Sequence, residues 1–448
     1  MGIRSSLARG IGQATSWSLR NIAHRSASQL PGRVALAIDP HLLSSLSKKL
    51  DKGSIVVCGT NGKTTTNNII AAAIEGSGQE VLCNRAGANM LPGVVAAMLP
   101  KKRASWAVIE ADELSCPHIL PELKPTYLVL LNLFRDQLDR SGEIENVQNA
   151  ILKGLQGSPE TCLVVCGDDP ICTAIALEAQ KTGTQVLYFG VDEDMHQPED
   201  KMCEARFCQV CGARLDYEYR QYAQMGNYRC TECDFARPTL NFWAKNVQVS
   251  RRGVAFDFCD VDHKTHIQAD FGGAYMVYNL MAAYCGASLA GVSQTVFQKV
   301  LQAYHPENGR LQHFIIDGRQ TILNLAKNPT GFNQNISLLM EDEREKIVYL
   351  AVNDKVNDGK DISWIWDVDF ERLGDAKVLK LFVDGTRAAD LQVRLKYADM
   401  DAKIVDSIAQ ATEFMSEADK DCPFYVLTNY SALLPAKEEL EQLGGIHE

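Results

Sequence analysis

The chain has 448 residues, of which 46% are hydrophobic and 23% charged, a composition typical of a soluble globular protein. At roughly 150 residues per domain, this length predicts two to four domains. The formal net charge of −11 argues against nucleic acid as a partner. No apolar run approaches the ~20 residues that span a bilayer, and the cysteines occur without a secretory signal. We therefore expect a reduced, cytoplasmic protein.

Residues 1–38 differ from the rest of the chain because they contain no acidic residue. Their apolar residues recur at helical spacing, namely at Leu7, Ile11, Ala14 and Trp17. Their basic residues are Arg4, Arg9, Arg20, Arg25 and Arg33. This basic amphipathic N-terminal segment has three interpretations: an arm at an anionic membrane surface, a transit peptide, or a docked helix with a solvated basic face.

Residues 59–66 form the most informative motif of the chain. An apolar run at 55–58 precedes them and a predicted helix at 67–74 follows, which is the strand–turn–helix arrangement of a phosphate site. Lys63 is expected to reach the terminal phosphates of ATP, and the Thr64 hydroxyl to hold Mg²⁺. A glycine-rich turn without a ligand is the alternative. The predicted nucleotide-binding residues are Gly59, Thr60, Asn61, Gly62, Lys63, Thr64 and Thr65.

Short apolar runs alternate with helical segments after this motif and predict a parallel sheet covered by helices. The runs lie at 80–83, 106–110, 127–132, 162–166 and 185–189. Ligands of such sheets bind at the carboxyl ends of the strands. The polar residues there are Glu110, Asp112, Glu113, Asn132, Arg135, Asp136, Asp168 and Asp169. Among them, Glu110 and Glu113 are the predicted catalytic carboxylates, and Glu110 with Thr64 the predicted Mg²⁺ ligands.

Two Cys-x-x-Cys pairs interrupt the alternation. The pairs are Cys208 with Cys211 and Cys230 with Cys233, separated by a spacing that matches a zinc ribbon. Four thiolates leave no open coordination position, so the predicted Zn²⁺ is structural. Cys203, a few residues upstream, is expected to take no part.

A second alternating region follows an Ala-rich helix at 276–290. Its predicted strands lie at 320–324, 346–352, 380–383 and 424–428. The predicted fold class is therefore α/β, with a basic segment at 1–38, a P-loop ATPase domain at 39–304 that contains the ribbon at 203–236, and a smaller Rossmann-like domain at 305–448.

Taken together, these motifs resemble the Mur ligase superfamily. The similarity is carried by Gly-Thr-Asn-Gly-Lys-Thr-Thr at 59–65, by Glu-Ala-Asp-Glu at 110–113 and by residues 132–140. The resemblance implies an ATP-dependent ligase that activates a carboxylate as an acyl phosphate. It also implies that Asn279 and Arg310 contact the nucleotide. Gln137 stands where these ligases carry a metal-binding histidine, which leaves a second Mg²⁺ site in doubt.

The cysteine ribbon and residues 357–367 are most similar to one subgroup, the ligase-like subunits of the lipid II isoglutaminyl synthases. That resemblance implies amidation of the D-glutamate α-carboxylate of lipid II, a membrane-linked peptidoglycan precursor. It further implies a heterodimer with a GatD-like glutaminase that supplies ammonia. The chain has no nucleophilic cysteine motif of its own for hydrolysing glutamine. A peripheral position at the inner face of the membrane would suit this substrate.

In that subgroup an aspartate of the ligase subunit completes the catalytic site of the glutaminase. We favour Asp358, with Asp361 as the reserve and Asp354 also in the loop. An acidic turn that caps the next helix is the alternative. Trp364 and Trp366 are either interface anchors or core residues. Residues 327–329 are either close to the acyl phosphate or a simple proline turn.

Two other functions remain open from the sequence. One is a ligase of the Mur or folylpolyglutamate type that joins an amino acid and needs no glutaminase. The other is a zinc-ribbon NTPase that acts as a scaffold.

Overall fold

The structure is a computed structural model that describes residues 2–100, 103–136, 139, 142–198, 200–201, 203–305, 311–356, 358–444 and 446–447. Its helices are α1 Ile3–Asn21, α2 Leu30–Ile38, α3 Leu42–Ser47, α4 Lys63–Gly76, α5 Leu91–Met98, α6 Cys116–Leu123, α7 Ile144–Gln156, α8 Pro170–Lys181, α9 Ala274–Leu289, α10 Gln294–Gln302, α11 Pro329–Met340, α12 Ala388–Lys396, α13 Ile408–Glu413 and α14 Tyr430–Gln442. Short 3₁₀ helices lie at Glu113–Ser115, Ser363–Asp367, Phe370–Asp375 and Glu417–Asp419.

The strands of the first half are β1 Leu50–Cys58, β2 Val81–Cys83, β3 Ala104–Glu110, β4 Tyr127–Leu130, β5 Cys162–Cys166, β6 Val186–Val191, β7 Leu215–Tyr222, β8 Met225–Cys230, β9 Phe242–Ser250, β10 Gly253–Cys259 and β11 Lys264–Ala269. Those of the second half are β12 Gln312–Ile316, β13 Arg319–Leu325, β14 Lys346–Ala351, β15 Val378–Asp384, β16 Lys403–Ile404, β17 Phe424–Thr428 and β18 Ile446–His447.

The first sheet has the strand order β11-β10-β9-β6-β5-β4-β1-β3-β2. Pairing is parallel from β2 through to β9, so the parallel sheet expected from the sequence is present. Central β1 lies between β3 and β4, which is a point where the chain winds in both directions. Ligands of doubly wound sheets bind at such points. The segment after β1 is the one predicted to bind phosphate.

Both faces of this sheet are buried, which explains its continuous apolar strands. Within β1, Ile55 and Val57 face one core, which α4 and α9 cover. Val56 and Cys58 face the opposite core, which contains residues of α1, α3, α5, α6 and α8. Each of these four side chains is fully buried. Rigid packing on both faces fixes the position of the turn that follows Cys58.

The sheet extends beyond the predicted strands on one side. Strands β9, β10 and β11 pair antiparallel at that edge, a meander that the sequence did not reveal. The inserted ribbon forms a separate hairpin of β7 and β8. The ribbon insert predicted at 203–236 therefore contains a two-stranded sheet outside the nine-stranded one, and its Tyr222, Met225 and Tyr228 pack into the cores of the larger sheet.

The second sheet has the order β16-β15-β14-β17-β13-β12-β18, with a parallel centre and antiparallel β12 and β18 at one edge. Its strands come from residues 312–447, whereas those of the first sheet come from 50–269. The predicted α/β fold class with a second, smaller sheet is confirmed. The domain boundary expected between 304 and 305 stays a prediction.

Helix α1 begins the described chain and packs on α2, which in turn packs on α5. Across the described residues, every helix is too short or too polar to cross a bilayer.

Candidate active site

The turn after β1 has the backbone geometry of a phosphate cradle. Gly62 caps α4 with a φ of +88°, and Gly59 has a φ of +131°, both in the region that favours glycine. A Cβ on Gly59 would lie 2.9 Å from the carbonyl oxygen of Asn132. The loop after β4 therefore holds the cradle tightly, and the start of α4 is the kind of helix N-terminus that binds anions.

The ammonium group of Lys63 is buried in the cradle and paired with a carboxylate. Its Nζ donates to Oε1 of Glu113 at 2.9 Å and to the carbonyl oxygen of Gly59. Burial alone would lower the pKa of Lys63, but the charges of Glu113 and Glu110 outweigh burial and raise it. Lys63 is therefore cationic, as phosphate binding requires.

The Thr64 hydroxyl and Glu110 form a second polar contact beside the cradle. Thr64 Oγ1 donates to Oε2 of Glu110 at 2.7 Å, and Nδ2 of Asn89 donates to Oε1 of Glu110 at 3.0 Å. Gly87 lies next to Oγ1 of Thr64 and Oε2 of Glu110, because a Cβ on Gly87 would be 3.4 Å from each of these two oxygens. A hydroxyl and a carboxylate oxygen in a narrow pocket are the donors that Mg²⁺ prefers.

Asn279 of α9 lies against the cradle although it is more than 200 residues away in the sequence. A Cβ on Gly62 would lie only 2.0 Å from Oδ1 of Asn279, and Thr66 Oγ1 donates to its carbonyl oxygen at 3.4 Å. The structure thus brings together most of the predicted nucleotide residues. Arg310 and Gln137 lie outside the described residues.

The second sheet contributes two side chains to this region. Lys327 Nζ donates to Oδ2 of Asp136, which follows β4. Asn328 and Asn61 exchange side-chain hydrogen bonds. Residues 327–329, singled out in the sequence, are therefore next to the cradle, and Pro329 begins α11.

The four ribbon cysteines converge. Their Sγ atoms all lie within 4.8 Å of one another, with Cys208 to Cys233 at 3.6 Å and Cys211 to Cys230 at 3.4 Å. Sulfurs bound at about 2.3 Å around one tetrahedral zinc lie about 3.8 Å apart, so the cluster fits Zn²⁺. A hydrogen bond from the backbone N–H of Glu232 lowers the pKa of Cys230 to about 7, which favours the thiolate.

The loop carrying the three candidate aspartates packs against the ATP-site side of the molecule. The backbone N–H of Lys360 donates to Oδ2 of Asp139, which follows β4 in the chain, at 2.8 Å. Asp358 is nearly buried; it accepts from the N–H of Ser431 at 2.8 Å, from the Ser431 hydroxyl and from the N–H of Lys355 at 3.2 Å. Asp361 accepts from the N–H of Ser363 at 2.8 Å.

The two tryptophans of this region differ. Trp364 packs on Phe332 of α11 with ring centroids 5.5 Å apart, in the manner of a core residue. Trp366 is half exposed and meets exposed Tyr397 edge to face at 5.4 Å. Val393 is also exposed and lines the same surface groove as Asp361.

Family comparisons agree with this geometry. A family model described as "Mur ligase middle domain" matches residues 57–211, and one described as "MurT ligase C-terminal" matches residues 325–433. The MurT subunit of the lipid II isoglutaminyl synthase (glutamine-hydrolyzing) from Staphylococcus aureus strain COL is 32% identical over 423 residues, which cover 93% of this chain and 94% of the relative. This chain belongs to the MurT family.

A second MurT subunit, from Streptococcus pneumoniae strain R6, is 30% identical over 98% of both chains. Solved structures share the fold of this MurT-family chain. A pseudomurein peptide ligase type C from Methanothermus fervidus has a TM-score of 0.68 at 20% identity, and the match covers 89% of this chain and 80% of the ligase chain. MurF from Acinetobacter baumannii has a TM-score of 0.66 at 17% identity, and the match covers 92% of this chain and 79% of the MurF chain. The superfamily and subgroup inferred from the motifs are confirmed.

Two asparagines at the site of this MurT-family chain were not identified from sequence: Asn84 and Asn89. Asn84 Nδ2 donates to the carbonyl oxygen of Glu110, and the Glu110 N–H donates to Oδ1 of Asn84, both at 2.8 Å. Asn84 follows β2 directly, so the rule of polar residues at strand ends would have found it. No sequence pattern marked Asn89 as a site residue, because it does not follow a strand. The loop before α5 brings it to Glu110.

Proposed function

We propose that this chain is the ATP-dependent ligase subunit that amidates the D-glutamate α-carboxylate of the lipid II stem peptide, giving D-isoglutamine in peptidoglycan synthesis. The observation that carries the proposal is its likeness, over nearly its full length, to subunits named for lipid II isoglutaminyl synthase. The ATP-type cradle around Lys63 supplies the chemistry that such a ligase needs.

The cradle residues would bind ATP, and Thr64 with Glu110 would hold Mg²⁺, which screens phosphate charge when bound. Gly59 to Thr65 and Asn279 would surround the nucleotide, and Arg310 is proposed from its motif alone. With the nucleotide bound, Lys63 exchanges its contact with Glu113 for a phosphate oxygen. Because Glu113 already accepts from the Gly59 N–H at 3.1 Å, it stays ordered after that exchange.

In the reaction, a carboxylate oxygen of the substrate attacks the γ-phosphorus and ADP leaves. Ammonia then attacks the carbonyl carbon of the acyl phosphate, phosphate leaves, and an amide forms. Lys327 lies beside Asp136 near the cradle, where its charge would stabilise the transferring phosphoryl group. Its 27% side-chain exposure leaves it reachable from solvent.

Ammonia would come from a GatD-like glutaminase bound in a heterodimer. The exposed group of Trp366, Val393 and Tyr397 beside Asp361 supports docking of that partner here, since aromatic residues anchor protein interfaces. We propose Asp358 as the aspartate that orients the glutaminase histidine. A carboxylate offers about four lone pairs, and the described contacts of Asp358 use three, so one remains for an imidazole N–H.

The cysteine cluster would hold a structural Zn²⁺ that stiffens the ribbon. All its ligands are protein sulfurs, so the metal would have no open position for substrate. We place the protein in the cytoplasm at the membrane face that carries lipid II.

The test supplies the purified chain with lipid II, ATP and an ammonium salt, and weighs the product. The expected product has the mass change of one carboxyl hydroxyl replaced by one NH₂ group. Addition of glutamine instead of ammonium should support the reaction only when the glutaminase is present.

Two outcomes would contradict the proposal. Ligation of an amino acid by the chain alone would favour a Mur or folylpolyglutamate type ligase. ATP hydrolysis that ignores every cell-wall precursor would favour a scaffold NTPase.

A further inference from the structure

Helix α1 has one face docked on the protein through small residues. Ser5, Ala8 and Gly12 are buried on that face. A Cβ on Gly12 would lie 3.1 Å from the Cβ of Ala35 in α2 and 2.8 Å from Cδ1 of Leu99. Backbones approach this closely only where side chains are small, so this face of α1 is fully used by its packing.

The opposite face of α1 carries large apolar side chains that the described protein leaves exposed. We call Ile3, Leu7, Ile11 and Trp17 the α1 stripe; their exposed fractions are 92%, 56%, 39% and 61%. At about 100° per residue these four positions span roughly 120° of arc, centred opposite Ser5 and Gly12. Large contiguous apolar surfaces on soluble proteins mark interaction sites.

The charge around the stripe has one sign. Residues 2–38 contain no acid, although the whole chain has a net charge of −11. The exposed arginines of this segment are Arg4, Arg20, Arg25 and Arg33. An apolar stripe flanked by arginines is complementary to an anionic lipid surface.

We infer that the α1 stripe and its flanking arginines dock this protein on an anionic lipid bilayer, with α1 lying flat in the interface. Trp17 would lie at the level of the headgroups, where tryptophan is favoured. Because the opposite face packs on α2 and Leu99, docking would hold the protein body against the membrane. The inference extends the proposed action on a lipid-linked substrate, yet it rests on α1 alone.

This docking would bring the catalytic pocket near the membrane. Leu99 follows α5, and Asn89, which contacts Glu110, precedes it. One helix of eight residues, about 12 Å long, therefore separates the docked region from the pocket. The peptide of a lipid-linked substrate would then reach the pocket while its lipid stays in the bilayer.

The experiment measures co-sedimentation of the full-length chain with vesicles of phosphatidylglycerol mixed with phosphatidylcholine, and with phosphatidylcholine alone. We expect binding to the anionic vesicles, weaker binding at high salt, and little binding to neutral vesicles. The double variant Leu7→Gln/Trp17→Gln should lower the partition coefficient at least about tenfold. A matched variant, Leu177→Gln/Val261→Gln, removes exposed apolar side chains elsewhere and should bind as the unchanged protein does.

Circular dichroism of both variants checks that they fold. Failure of the unchanged chain to bind anionic vesicles overturns the inference. So does a Leu7→Gln/Trp17→Gln variant that binds vesicles normally but loses self-association or the glutaminase, because the stripe would then contact protein. Vesicle binding without lipid II amidation would support this inference while refuting the proposed function.

Discussion

The side chains of Asn61 and Asn328 exchange two hydrogen bonds across the boundary between the two sheets. Nδ2 of Asn328 donates to Oδ1 of Asn61 at 3.1 Å, and Nδ2 of Asn61 donates to Oδ1 of Asn328 at 3.4 Å. Oδ1 of Asn328 also accepts from the N–H of Gly331 at 2.8 Å and caps α11. A residue of the phosphate cradle is thus joined directly to a helix start in the C-terminal region.

Replacing Asn328 tests whether this contact holds the cradle in its active form. Asn328→Asp keeps the oxygen that caps α11 but removes the donor to Asn61. We expect a two- to tenfold lower amidation rate, since one hydrogen bond contributes about 0.5–1.5 kcal/mol. Thermal unfolding should change little for Asn328→Asp, whereas Asn328→Ala should lose about 1 kcal/mol more with the cap. An Asn328→Asp rate equal to that of the unchanged protein would contradict this role.

Lys63→Met should lower ATP-dependent turnover by about a hundredfold or more, because it removes the cation beside the phosphates. It also leaves Glu113 buried without its partner, at a cost of about 3–5 kcal/mol in the free energy of unfolding. Lys63→Met/Glu113→Gln separates the two effects, since it should restore stability but not turnover. Denaturant unfolding and phosphate release measure both. Turnover in a stable double variant would refute the ATP site.

Metal analysis of the purified chain should find about one zinc per molecule. Cys211→Ser should lose that zinc and lower the unfolding temperature of the ribbon. Cys203→Ser is the matched control, because Cys203 contacts Tyr217 rather than the cluster. We expect Cys203→Ser to keep its zinc. Equal zinc contents in the two variants would show that the cluster is not the site.

Asp358→Asn should reduce glutamine-driven amidation at least about tenfold, while ammonium-driven amidation continues. Asn keeps one oxygen acceptor for Ser431 and removes the carboxylate charge that a histidine partner needs. Asp361→Asn is the control and should keep both activities. If Asp361→Asn instead lost the glutamine-driven activity, the role would pass to Asp361.

Much of the fold could be predicted from the sequence, because the patterns that indicate its strands and the cradle lie within short segments of the chain. The cradle at 59–66 and the central parallel strands were predicted near their observed positions, since buried parallel strands are continuous apolar runs. The antiparallel meander β9–β11 was missed. The residues of β10 and β11 alternate in exposure, and no local pattern indicates which strand of the sheet they pair with.

Some features of the candidate site could likewise be predicted from the sequence, and others could not. Sequence alone determined which residues are proposed to bind phosphate and zinc, because the spacing of glycine, lysine and cysteine in such motifs is fixed by chain geometry near each ligand. Asn279 was expected at the nucleotide from the family resemblance, but only the tertiary structure decided that Asn328 pairs with Asn61 and that Lys63 pairs with Glu113. Those contacts join residues far apart in the chain, and they depend on how helices and sheets pack rather than on any local pattern.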